Sequence, residues 1–172
     1  MKRLWSALSL SLVFLSGCGY HTAGSATHLP PGIATLSVPV FKNRTQGYHT
    51  EVAFTSAVVH ELNTRTKYRV TERTSAVNDA VLEGTILTES IAPLTYDSSS
   101  GATSSYLITI TAKVVLTSAT GQVLYQNSKL SFRQQYQSTQ DISAFVQEDT
   151  AAVNRLARDF AQTVVADMLE SF

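Results

Sequence analysis

An α+β architecture is expected of this chain: a two-layer sandwich with two helices packed on one face of a mixed four- to five-stranded β-sheet. Three observations lead there. Apolar and polar residues alternate over 106–117, the period of a half-buried strand. Apolar residues recur every three to four positions over 51–63 and 143–170, the period of an amphipathic helix. The elements run strand, helix, several strands, helix, with no repeat of 20–50 residues that would make a solenoid. At 172 residues and 44% hydrophobic composition, the chain is long enough to bury one real core.

The first elements are not part of that core. Met1-Lys2-Arg3 is a basic start, and the run from Leu4 to Leu15 is apolar apart from its serines, so residues 1–17 read as a secretory signal segment. As a helix the run would rise only about 18 Å, short of the ~30 Å of a hydrocarbon layer. It closes on Leu15-Ser16-Gly17-Cys18, which resembles the bacterial lipobox. That likeness implies cleavage before Cys18 and a diacylglyceryl group and an N-acyl chain on this single cysteine, an anchor of more than one chain. Gly19 at the next position implies release to the outer membrane. Residues 18–32, rich in Gly, Ser, Thr and Ala and ending in Leu29-Pro30-Pro31-Gly32, read as a tether.

A single α/β sandwich domain is expected over 33–172. Leu36, Val38 and Val40 alternate with Ser37 and Pro39 in a first strand, Pro39 marking an edge or bulge. Thr50 is placed to cap a helix over 51–63 whose apolar face is Phe54, Val58 and Leu62. Tyr68-Arg69-Val70-Thr71 is a short strand, and 79–91 a longer one with Leu82, Gly84 and Ile86 on one side. Residues 97–105 hold little packing material and read as a mobile hairpin tip. Ile108, Ile110, Ala112, Val114 and Leu116 then share the core face of one strand, leaving Thr109, Thr111, Lys113 and Thr117 on the other. After the turn at Ser118-Ala119-Thr120-Gly121, simple parity puts Leu124, Leu130, Phe132 and Tyr136 inward. The same parity puts Tyr125, Asn127, Lys129, Ser131 and Arg133 outward. The last helix presents Val153, Leu156, Ala157, Phe160, Ala161, Val164 and Met168 as one stripe.

Composition narrows the chemistry. The 13 basic and 13 acidic side chains balance, which excludes binding of nucleic acid through a global basic field. Loss of residues 1–17 removes Lys2 and Arg3 and leaves a formal charge of −2. One cysteine allows no intrachain disulfide and no cysteine-built zinc site. Of the four histidines, His21 and His28 lie in the tether, while His60-Glu61 sits on a helix without the second histidine of a zincin. Phosphate loops and nucleophile elbows are missing. No catalytic residue, metal site or dissociable cofactor is therefore expected. What stands out is local charge: Arg65, Lys67, Arg69 and Arg73 lie within nine residues, and Lys113, Lys129 and Arg133 share the polar parity of their strands. Such cations either solvate a sheet face or grip the phosphates of an anionic lipid.

Taken in order, several segments resemble the lipopolysaccharide-assembly lipoprotein family (LptE). They are Cys18-Gly19-Tyr20-His21, Leu36-Ser37-Val38-Pro39-Val40-Phe41-Lys42-Asn43-Arg44-Thr45, Glu51 at the first helix, and Asn78-Asp79-Ala80-Val81-Leu82-Glu83-Gly84-Thr85-Ile86. Gly121-Gln122-Val123-Leu124 and the final amphipathic helix complete the series. The resemblance implies a non-catalytic outer-membrane lipoprotein, held to the membrane through its lipid anchor. Its implied partners are lipopolysaccharide and the β-barrel that inserts it, which the lipoprotein plugs and supports. It implies a lipopolysaccharide contact at Lys129; the local basic charge adds Arg133 and Arg69 to the expected phosphate contacts, and strand parity makes Thr111, Lys113 and Tyr125 the expected barrel-facing positions. Relatives carry a basic residue at the hairpin tip, and 97–105 has none. A curli-secretion-like lipoprotein or a penicillin-binding-protein activator is the alternative, since a Val-Pro-Val-Phe-x-Asn start followed by a helix occurs there too.

Overall fold

The computed structural model describes residues 32–73, 78–137 and 142–171, with side chains of the last segment described from Asp149 onward. The signal segment, Cys18 and the tether up to Pro31 lie outside the described residues. The elements are β1 (Thr35–Ser37), β2 (Lys42–Asn43), α1 (Thr50–Arg65), β3 (Arg69–Thr71), β4 (Ala80–Tyr96), β5 (Thr103–Ser118), β6 (Val123–Gln137) and α2 (Ile142–Glu170). They form one sheet in the order β3-β1-β4-β5-β6, with β2 paired to β4. β1 runs parallel to both β3 and β4, and β4, β5 and β6 form an antiparallel meander. The expected two-layer α+β sandwich is what the chain adopts. The strand count rises to six.

The extra strand comes from a break in the first one. β1 and β2 pair along the same edge of β4, but Ser37 to Lys42 spans five steps where Val81 to Thr85 spans four. One residue is left over, and Pro39 lies in the gap, where a missing N–H costs no ladder bond. The alternation expected through Val40 therefore fails: Val38 and Phe41 are buried while Val40 is 56% exposed. The Phe41 amide, free of the ladder, donates to Thr55 Oγ1 of α1 at 2.9 Å. The Phe41 ring lies over Gly84, where a β-carbon would overlap it. Phe160 of α2 gathers this corner, with ring centroids 6.1 Å from Phe41, 4.9 Å from Phe54 and 5.7 Å from Phe132.

α1 buries Phe54, Val58 and Leu62 as its periodicity requires. Thr50 does not cap it. The helix opens after His49, held at φ 57, and the Thr50 hydroxyl donates to Glu89 Oε2 at 3.0 Å. The tip between β4 and β5 is shorter than expected. The Asp97 amide donates to the Ala102 carbonyl, and Asp97 Oδ1 accepts from the amides and hydroxyls of Ser99 and Ser100, so pairing resumes at Thr103. Four donors on one carboxylate hold it well below the usual carboxylate range.

A second irregularity decides which side chains share a face. Along β5 and β6, Ala112 pairs with Leu130 but Val114 pairs with Asn127, so Ser128 and Lys129 together stand opposite Lys113. This is a β-bulge, and it reverses parity below it. Tyr125 pairs with buried Leu116 and packs against the core, with Asp167 of α2 nearby. The outward assignment of Tyr125 and Asn127 is thereby corrected, while Lys129, Ser131 and Arg133 keep theirs.

Candidate ligand and partner surface

Both helices lie on the side of Ile108, Ile110, Ala112, Val114 and Leu116, all of which are buried. No described element covers the opposite face of the sheet. Thr109, Thr111, Lys113 and Val115 there are only half-buried although β5 is an interior strand. Two-layer folds of this size leave one sheet face to water, and here it is polar, with Thr, Ser and cations in register across the strands.

The cations are unevenly spread. Thr85 of β4 pairs with Lys42 on one side and Lys113 on the other, and Lys113 faces the bulge that holds Lys129. A cavity of about 250 Å³ on this face is lined by Lys42, Arg44, Glu83, Thr85, Leu87, Lys113 and Val115. Lys42 Nζ lies 3.5 Å from Glu83 Oε1. Among the described residues Arg44, Lys113, Lys129, Arg133 and Arg69 have no carboxylate within 4.0 Å. The Lys113 and Lys129 side chains sit on one face of adjacent strands, where like charges opposite one another are unfavourable.

Of the expected contact residues, Lys129 and Arg133 fall on this face of β6, with Arg133 opposite Thr109. Arg69 does not join them. It lies on β3 at the far edge of the sheet, four strand spacings or about 19 Å away. Thr111 and Lys113 are on the open face, and Tyr125 is not. Arg65 is taken by Glu61 at 2.5 Å along the helix. Lys42 and Arg44 come beside Lys113 through a parallel pairing between segments some forty residues apart, which no local pattern reports.

Several carboxylates elsewhere have partners of their own. A groove of about 630 Å³ beside the start of α1 contains Glu89 and Asp149. Glu89 accepts from Thr50 and, at 3.4 Å, from Thr45. Burial and then the charge of Asp149 push the Tyr136 hydroxyl up to about 12. Asn43 ties this loop together, donating to the Gly47 carbonyl and to Glu51 while accepting from Thr45. No group of three His, Cys, Asp or Glu side chains converges among the described residues.

A lipopolysaccharide-assembly family model (LptE) matches residues 33–168. The chain belongs to the LptE family. Similar solved structures include a lipoprotein of Caulobacter crescentus, 10% identical, with a TM-score of 0.53 over 76% of this chain and 89% of that one. Rare lipoprotein B of Shewanella oneidensis is 14% identical, with a TM-score of 0.53 over 80% and 95%. A Chlamydia trachomatis protein is 11% identical, with a TM-score of 0.54 over 80% and 96%. At these identities the likeness is one of fold. No curated protein matches the sequence. Family membership selects LptE over the curli-secretion-like and activator alternatives. Two of the segments that carried the resemblance are scaffold. Leu36 to Thr45 builds the broken edge strand and its Asn43 loop, and Asp79 to Ile86 builds the β4 segment it pairs with.

Proposed function

We propose that this LptE-family lipoprotein is anchored in the outer membrane through acylated Cys18, and that it plugs and supports the β-barrel that inserts lipopolysaccharide. The single observation behind this role is the open face of the sheet: polar, bearing cations and uncovered by any described element. The lumen of a large outer-membrane barrel is itself polar, so a barrel wall would supply the layer that the fold omits. Lys129 and Arg133 then meet lipopolysaccharide phosphates as the cargo passes.

Photocrosslinkers at Thr111 and Ser131 on the open face, and at Ile110 and Phe160 in the core, test it in outer membranes. Capture of a barrel protein from the first pair alone is expected. Capture from the core pair alone would reject this orientation. Mass spectrometry of the mature amino terminus tests the anchor, and an unmodified Cys18 or a retained Met1 would reject it.

A further inference from the structure

We propose that Lys42, Arg44, Lys113 and Lys129 form one anion site on the open sheet face, and that it reads the number of phosphates on a lipid headgroup. The proposal rests on the lipopolysaccharide role above and adds to it the specificity residues.

Three features carry it. Lys42 and Lys113 flank Thr85 in register, so their backbones stand about 10 Å apart, with Lys129 one strand further on. The row thus spans about 15 Å, wide enough to meet two phosphates rather than one. Next, the cavity between β2, β4 and β5 takes three cations and a single carboxylate, and that carboxylate is shared with Lys42. Finally, the bulge puts Lys129 on the strand position facing Lys113, a like-charge pair that stability alone does not favour. A chain with more acidic than basic side chains after residue 17 leaves this pair without a carboxylate among the described residues. A local conflict of this kind points to a ligand that resolves it.

The occupant is a headgroup bearing two phosphates. Lysine acts there as a point charge, tolerant of ligand orientation, and Arg44 adds a fork able to hold one phosphate by two bonds. Arg133, four residues along β6 from Lys129, and Arg69, across the sheet, stand outside the row.

The test uses the full-length protein and vesicles carrying lipid A with two, one or no phosphates. Wild type is expected to bind the bisphosphorylated vesicles most strongly. Lys113→Gln with Lys129→Gln should weaken that binding about 10-fold and abolish the preference over one phosphate. Lys113→Gln alone should raise the melting temperature by about 1–3 °C as the repulsion is relieved, which also shows that the fold survives. Arg69→Gln, at the far edge of the sheet, should keep the preference. An equal loss from that variant, or an unchanged preference in the double variant, would overturn the site. Inorganic phosphate binding as tightly as the vesicles would identify free phosphate as the ligand and overturn the lipid assignment. Barrel copurification is scored in parallel: retained barrel with lost phosphate preference is expected. Lost barrel with preserved preference would move the row to the barrel contact and overturn the proposal without touching the supporting role.

Discussion

Gly84 and Asp79 show how single residues of β4 hold the fold. Gly84 leaves room for the Phe41 ring, so Gly84→Ala should cost about 1–3 kcal/mol through overpacking, read as a lower urea midpoint with an unchanged slope. Asp79 accepts from the amides of Ala34 and Thr35, both at 2.8 Å, and these bonds lower its pKa. Because the folded value lies below the unfolded one, the stabilisation is complete above the unfolded pKa of about 3.9. It is lost as pH falls through the folded value. Asp79→Asn should therefore lower the melting temperature at pH 7, and the gap to wild type should close as both are acidified. Equal gaps at pH 7 and at strongly acidic pH would exclude a charge effect. Both residues lie in a segment whose strand character was legible from Leu82, Gly84 and Ile86. Their partners, some forty residues upstream, were not, because periodicity reports a face and says nothing of what meets it.

The elements were legible wherever the backbone is regular. Both helices, the β5 alternation and the turn at Gly121 follow from local spacing, and the turn needs its glycine, which sits at φ 83. Reading failed at two insertions of a single residue: in the β1–β2 edge, where Pro39 marks a bulge but not the parity beyond it, and near Ser128 in β6, where no Pro or Gly marks the shift. Tyr125 is the clearest victim: counted outward, it packs inward. Tyr125→Lys should thus destabilise by about 2 kcal/mol or more, whereas Thr111→Lys on the open face should stay within about 0.5 kcal/mol. Chemical denaturation of the two variants checks this, and equal effects would mean that the bulge does not set the face. Deleting Ser128 should carry Tyr125 and Asn127 to the open side, lowering stability and raising the fluorescence quenching of tyrosine by added iodide.

On the scale of the whole molecule, the sandwich and its open face were legible from composition and order, and the position of the cationic row was not, since it is made by strands brought together only in three dimensions. Phe160 joins the layers by touching aromatic rings from β6, α1 and the β1–β2 break. Phe160→Ala should cost about 3–5 kcal/mol and loosen both helices together. Hydrogen exchange would register this as lost protection in α1 and α2 alike. The strand order has a further effect, in time rather than space. β4, β5 and β6 are joined by short turns and meet early, because closing a short loop costs little entropy. β1 can pair first only with β3, about thirty residues on, and this parallel pair joins the meander only when β1 docks on β4. β1 and β3 are therefore expected to join the sheet after the β4–β6 meander, although β1 is synthesised first. Substitutions in the β5–β6 hairpin should slow refolding, while those in β1 and β3 should chiefly hasten unfolding. Until β3 emerges, about thirty residues on, β1 has no partner in its own sheet, and the pair has no place in the meander until β4 follows.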